Sequence, residues 1–267
     1  MNDEFYIGWQ TNAPPGIGSR VRRTVVFLLA LAVALAALLA VGQRTIGVSA
    51  FEWGKIKSFS GVLKSRPYPH LLVPRPGASP VSAAFSSYYL VQPFKFGLDA
   101  ETASRFDGQW VNLKGTLIYR ENQTMIEVAD HSIAASDAVP SRSAGKTNPE
   151  KRASDSWVAS VHLGRRTFVG EIVDSKCYLG VMNPGALTPH RACAIRCISG
   201  GIPPVLLVRQ SGGPPLCFLL VSREGMPVNK QVLDLVAEPV DITGDVERQG
   251  ELLVLRADPG TIRRVKR

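Results

Sequence analysis

The feature that most constrains this chain is an apolar run near its N-terminus. Val25 to Val41 reads VVFLLALAVALAALLAV, with neither a charge nor a polar side chain. A helix needs about 17–25 such residues to cross the hydrocarbon core of a bilayer. We therefore predict one transmembrane helix over residues 24–42, with the lipid bilayer as its partner.

Charged residues around this run predict its orientation. Arg20, Arg22 and Arg23 precede it and only Arg44 follows closely, so the positive-inside rule predicts a cytoplasmic tail over residues 1–23 and export of everything after the helix. A cleaved signal peptide is the alternative, but its apolar core is usually about 7–15 residues long. We expect a single-pass protein of the cytoplasmic (inner) membrane with its C-terminal domains in the periplasm.

The overall charge does not indicate a nucleic-acid partner. Lysine and arginine outnumber aspartate and glutamate by 31 to 22, for a net charge of +9. The basic residues are scattered, however, apart from the cluster before the apolar run and another at the C-terminus, and an exported domain does not meet nucleic acid. No Ser-His-Asp grouping, phosphate-binding loop or dinucleotide-binding glycine pattern is present, so we expect a non-catalytic protein.

The exported part shows the same strand and helix pattern twice. Residues 50–135 predict three strands, a helix with Asp99 as its N-cap, and a hairpin. A linker over residues 136–157, rich in Ser, Ala, Pro and Lys, separates this domain from a second copy over residues 158–267, whose helix we expect at Asn229–Val236. Two glycine pairs correspond between the copies, Gly61 with Gly170 and Gly115 with Gly244.

This repetition predicts a mainly β protein, with one N-terminal transmembrane helix followed by two tandem OB-like five-stranded β-barrel domains. The alternative is a pair of unrelated small β domains. The second copy carries an insertion over residues 174–204 that the first copy lacks. Since the first copy forms the same fold without it, we expect the insertion to be an added device that the scaffold does not require.

The insertion holds three of the four cysteines, Cys177, Cys193 and Cys197, together with His190. Thr188-Pro189 is typical of a helix start, with Thr188 as the N-cap, and Gly200-Gly201 is typical of its end, which predicts a helix over about 189–198. His190, Cys193 and Cys197 then stand at i, i+3 and i+7. Their side chains fall within roughly 60° of one helical face.

The pattern GEIVD, CY, HRACAIRC and GIPP over residues 170–204 resembles a small exported bacterial module with the signature G-E-V-V-D, C-Y, H-x-x-C-A-x-x-C and G-x-P. The resemblance implies that Cys177, His190, Cys193 and Cys197 belong together, whereas Cys217 lies outside the motif. It also implies an association with membrane-bound respiratory or molybdopterin-enzyme systems.

Three chemistries remain open for this set. As metal ligands, three thiolates and an imidazole suit zinc or copper(I). In an oxidising compartment the cysteines can instead form structural disulfides, with Cys177 bridged to Cys193 or Cys197. A thiol-disulfide redox protein is the third alternative, since His190 and the helix N-terminus favour a thiolate. We expect an envelope accessory protein that binds metal through Cys177, His190, Cys193 and Cys197 and assists a membrane redox system.

Overall fold

The computed structural model describes residues 14–43, 49–75, 85–121, 123–136, 160–211 and 213–265. The chain divides into two compact units, Met1–Gly47 and Val48–Arg267. The predicted linker, residues 136–157, lies outside the described residues apart from Ser136.

The first unit contains one long helix, α1 (Pro15–Gln43). Proline suits the first position of a helix, where no partner is needed for its missing N–H, and the Gly18 N–H donates to the Pro14 carbonyl at 2.8 Å. Among the described residues, only this helix is long and apolar enough to cross a membrane. It begins earlier than the predicted span, so residues 15–23 of the predicted tail are helical.

The first half of the second unit is a closed five-stranded barrel. Its elements are β1 (Ser49–Phe51), β2 (Lys57–Lys64), β3 (His70–Pro74), β4 (Phe85–Val91), α2 (Ala100–Arg105), β5 (Trp110–Arg120), β6 (Gln123–Val128) and β7 (Ala134–Ala135). The antiparallel order β5-β2-β3-β4 is closed by β6, which pairs with β4 in parallel and with β5 antiparallel. Asp99 caps α2, as predicted, by accepting from the Thr102 N–H.

The second half repeats these pairings. Its strands are β8 (Ser160–Asp174), β9 (Pro204–Val208), β10 (Leu216–Val221), β11 (Pro239–Gln249), β12 (Leu252–Ala257) and β13 (Arg263–Arg264). The order β11-β8-β9-β10 is again closed by the last long strand, parallel to β10 and antiparallel to β11. The prediction of two tandem OB-like five-stranded barrels is confirmed.

The matched glycines allow the strands of both barrels to approach closely. A Cβ on Gly115 would meet the Glu127 carbonyl of the neighbouring strand, and a Cβ on Gly244 would meet that of Arg256. Because both obstacles are backbone atoms, a side chain at either position would push paired strands apart.

The predicted helix at Asn229–Val236 is wrong in type. The chain instead forms two short 3₁₀ helices, Asn229–Gln231 and Leu233–Leu235. Val236 leaves the helical path because it bridges to Ile172 of β8, and the next N–H, that of Ala237, donates to the Ile172 carbonyl at 2.9 Å. Pairing with the sheet therefore replaces the last helical turn.

A shared hydrophobic core joins the two barrels. It combines Tyr89, Ile118 and Met125 of the first barrel with buried residues of the second barrel and of the insertion. Tyr68 crosses between the barrels: its hydroxyl donates to the Leu220 carbonyl at 3.2 Å and accepts from the Val228 N–H at 3.1 Å. The barrels are therefore packed against each other.

Candidate metal centre

Asp174, the last residue of β8, starts the candidate site. Its side chain is fully buried, and its Oδ1 accepts a hydrogen bond from the Cys177 N–H at 2.8 Å. This bond turns the chain out of the sheet into a short π-helical segment, Cys177–Val181, whose first three residues are buried. The carboxylate thus fixes the backbone that carries the first thiol.

The second part of the site is a 3₁₀ turn, Thr188–His190, followed by α3 (Arg191–Ser199). The helix ends at Gly200, as predicted, but Thr188 is not its N-cap: the N-cap of α3 is His190, and no side chain caps it. Thr188 instead begins the 3₁₀ turn that runs directly into the helix. Just before it, the buried Glu171 carboxylate of β8 accepts a hydrogen bond from the Leu187 N–H.

The sulfur atom of Cys177 lies close to those of Cys193 and Cys197 without being bonded to either. Cys177 Sγ is 3.9 Å from Cys193 Sγ and 3.9 Å from Cys197 Sγ. A disulfide has an S–S length of about 2.05 Å. Two thiolates on one tetrahedral zinc ion, at Zn–S distances of about 2.3 Å, would be about 3.8 Å apart. Both separations therefore match the edge of a tetrahedral thiolate site.

His190 completes the predicted set. Its Nε2 lies 3.0 Å from Asp174 Oδ2, and both side chains are buried. A carboxylate that accepts a hydrogen bond from a ring N–H orients the imidazole and makes the other ring nitrogen a better metal ligand. Asp174 therefore makes two contacts, one with the backbone of the turn and one with the imidazole of His190.

The potential ligands fall into two overlapping triads. Cys177, His190 and Cys193 offer ligand atoms that lie within 4.8 Å of one another, and so do Asp174, Cys177 and Cys197. Among the described residues these are the groups of His, Cys, Asp and Glu that could hold a metal ion. The structure brings all four predicted residues together, with Cys177 common to both triads.

Lys95 contributes a positive charge from the first barrel. Its Nζ lies 2.7 Å from Cys193 Sγ, and this contact raises the pKa of the Lys95 ammonium. Cys193 is itself partly exposed, whereas Cys177 and Cys197 are buried. The ammonium group can therefore offset negative charge on the one thiol of the cluster that reaches the surface.

The two buried thiols share a hydrogen bond, and their pKa values shift in opposite directions. A hydrogen bond to Cys197, followed by burial and the nearby Asp174, raises the pKa of Cys177 well above its ordinary value. Accepting that hydrogen bond lowers the pKa of Cys197.

The chain matches no protein-family model, no curated protein and no solved structure. What the site can do therefore rests on its own geometry. Three sulfur atoms and one imidazole form a soft donor set that suits zinc or copper(I).

The remaining cysteine and histidines lie apart from the triads. Cys217 lines a groove of about 400 Å³ with Arg120 and Tyr178, and burial raises its pKa to about 12. His70 is buried in the first barrel with Nδ1 2.8 Å from the Tyr68 carbonyl, while His131 and His162 are exposed. This separation agrees with the predicted exclusion of Cys217.

Sequence reasoning missed Lys95. It lies 98 residues before Cys193, on the loop between β4 and α2, and no local motif connects the two. The signal that brings them together is packing between the barrels, which a single sequence does not display.

Proposed function

We propose that this protein is a membrane-anchored, non-catalytic accessory protein of the cell envelope that binds a soft metal ion through Cys177, His190, Cys193 and Cys197. The observation that carries the proposal is the pair of 3.9 Å sulfur separations centred on Cys177. They fit thiolates that share a metal ion and are too long for a disulfide.

Two residues that contact the proposed metal ligands, Asp174 and Lys95, also support metal binding. The Asp174–His190 hydrogen bond at 3.0 Å is the kind of outer contact that fixes ligating histidines. Lys95 offsets part of the excess negative charge that three thiolates leave around a divalent ion. This charge balance favours zinc over copper(I), because a monovalent ion would leave one more negative charge uncompensated.

The anchor and compartment belong to the same proposal. The apolar helix α1 and the arginines before its apolar stretch support an N-terminus in the cytoplasm and barrels in the periplasm. The resemblance of the cysteine motif to an exported bacterial module supports assistance to a membrane-bound redox complex. The metal centre would then belong to a tethered domain close to its partner.

Thiol-disulfide exchange is a second candidate function, favoured by one observation. Cys177 lies equally far from two other thiols, and one of them, Cys193, is partly exposed. A thiol on the surface that is backed by a second thiol suits exchange with a partner disulfide. In an oxidising compartment the same pair could also close as a structural bridge.

Metal analysis of the full chain, extracted from membranes in detergent under reducing conditions, tests the proposal. We expect zinc or copper to co-purify and to be lost in Cys177→Ser and Cys193→Ser, while the matched control Cys217→Ser keeps it. Thiol counting by mass spectrometry on unreduced protein runs in parallel. An apo chain with reduced thiols that takes up neither metal contradicts metal binding, and recovery of the chain without detergent contradicts the anchor.

A further inference from the structure

The two triads around Cys177 point beyond a single ion. Cys177, His190 and Cys193 form one set of mutually close ligand atoms, and Asp174, Cys177 and Cys197 form the other. Cys177 is the member they share. The five residues do not form a single group in which all ligand atoms lie within 4.8 Å of one another. The potential ligands are therefore arranged around two neighbouring positions, each of which could hold an ion.

We infer that the cluster holds two divalent metal ions bridged by the Cys177 thiolate. His190 and Cys193 complete the three ligands of the outer ion, and Asp174 and Cys197 complete those of the inner ion. A thiolate has several lone pairs and can bind two soft ions at once. The inference rests on the proposed metal-binding function and adds its stoichiometry and ligand assignment.

Charge supports two ions over one. When they bind metal, the three thiolates and the Asp174 carboxylate carry four negative charges beside a neutral imidazole. One divalent ion would leave two of these charges, of which the exposed Lys95 ammonium beside Cys193 offsets one. A negative charge would then remain on a donor set whose Asp174, Cys177 and Cys197 are buried. Buried net charge is costly unless it is paired. Two divalent ions balance the donor set, whereas two copper(I) ions would not.

The hydrogen bonds of Asp174 leave it able to bind metal. Its Oδ1 accepts from the Cys177 N–H and its Oδ2 lies 3.0 Å from His190 Nε2. An ionised carboxylate offers about four lone-pair positions, so each oxygen keeps one after these contacts. The same carboxylate can then ligate the inner ion and orient the imidazole on the outer one.

The two ions would differ in access to solvent. The inner set, Asp174, Cys177 and Cys197, is buried throughout, whereas the outer set includes the partly exposed Cys193. Lys95 lies within hydrogen-bonding distance of Cys193. Among the described residues, it makes no such contact with the sulfur atoms of Cys177 or Cys197. Exchange with a chelator should therefore remove the outer ion first.

Zinc titration of the reduced full chain in detergent, read by native mass spectrometry, tests this inference. We expect two zinc ions per chain and biphasic release to a chelator. Asp174→Asn keeps the side-chain oxygen that accepts from Cys177, yet it should lower the stoichiometry to one; Cys197→Ala should do the same. His190→Gln should remove the outer ion instead, and the control Cys217→Ser should keep both.

Cobalt(II) substitution tests the bridge itself. Two cobalt ions joined by a thiolate couple magnetically, so the fully loaded chain should show a weakened paramagnetic signal compared with the half-loaded Asp174→Asn variant. One zinc ion per chain in the unmodified protein would overturn the two-ion inference and leave the proposed function standing. No bound zinc would overturn both, and two uncoupled cobalt ions would overturn the bridge.

Discussion

Two side chains at or just after the end of β8, those of Asp174 and Lys176, connect parts of the fold that are distant in the sequence. The two oxygens of Asp174 connect a strand end, the N–H of Cys177 and the ring of His190. Lys176, the next residue but one, points into the first barrel and is only 1% exposed. Within four consecutive positions, 174 to 177, the chain therefore supplies two residues of the candidate site, Asp174 and Cys177, and one contact between the barrels, Lys176.

His70 provides a prediction about pH. Burial lowers its pKa from 6.5 to about 4, with Lys64 lowering it further and Asp107 opposing. Between pH 6.5 and 4 the unfolded chain binds a proton at this residue that the folded chain does not. The free energy of unfolding should therefore fall by about 3 kcal/mol as the pH drops through this range.

Denaturant unfolding of the full chain in detergent at several pH values, followed through the buried Trp110, measures how the free energy of unfolding depends on pH. His70→Asn should lose most of this dependence, while His162→Asn, at an exposed position, should behave as the unmodified protein does. Equal pH slopes for the unmodified protein and His70→Asn would show that another group is responsible.

At the scale of elements, the insertion is held by close backbone contacts rather than by long side chains. A Cβ on Gly180 would lie 2.5 Å from the Ala50 carbonyl oxygen of β1, and one on Gly185 would lie 2.5 Å from the Cys177 carbonyl oxygen. Gly97 N–H donates to the Gly200 carbonyl at 2.9 Å. The insertion therefore packs against the first barrel as well as the second, which the repeat alone did not indicate.

Gly180→Ala should destabilise the protein by about 1–3 kcal/mol, because the methyl group meets backbone that cannot rotate away. Gly213→Ala is the matched control, since its Cβ would meet only the end of a glutamine side chain at 3.6 Å. Equal unfolding midpoints for the two variants would contradict the close contact.

At the scale of the whole molecule, the barrels are joined by a buried ion pair as well as by the shared core. Lys176 Nζ lies 2.5 Å from Glu127 Oε2 and donates to the Gln92 and Phe94 carbonyls at 2.8 Å each. Its three N–H groups thus have three acceptors, all in the first barrel. This arrangement places the loop that carries Lys95 beside the thiol cluster.

Glu127→Gln should lower the free energy of unfolding by about 3–5 kcal/mol, since it leaves a buried ammonium without its counter-charge. The double variant Lys176→Met with Glu127→Met should lose much less than the sum of the two single changes. Glu101→Gln, which breaks the exposed Glu101–Arg105 pair, should cost no more than about 0.5 kcal/mol. Additive effects in the Lys176–Glu127 cycle would mean that the pair is not coupled.

The sequence by itself determined the features that depend on residues close together in the chain, namely the apolar helix, the strands and the spacing of the Cys/His motif. The apolar run predicted α1, alternating residues and glycines predicted five strands in each barrel, and the spacing of His190, Cys193 and Cys197 predicted a shared helical face. These features are readable because periodicity and turn chemistry act over a few residues. The same locality explains the failure at Asn229–Val236, where pairing with a distant strand overrides helical spacing.

Only the tertiary structure decided how the site is assembled. Lys95 approaches Cys193 across 98 residues. The potential ligands form two triads, with Asp174 at the end of a strand and Cys197 in the last turn of α3. Such positions depend on how two barrels pack over a shared core, which burial of apolar surface drives without any local signature. The sequence shows which residues could bind a metal ion, and the packing between the barrels sets the distances and charges around them.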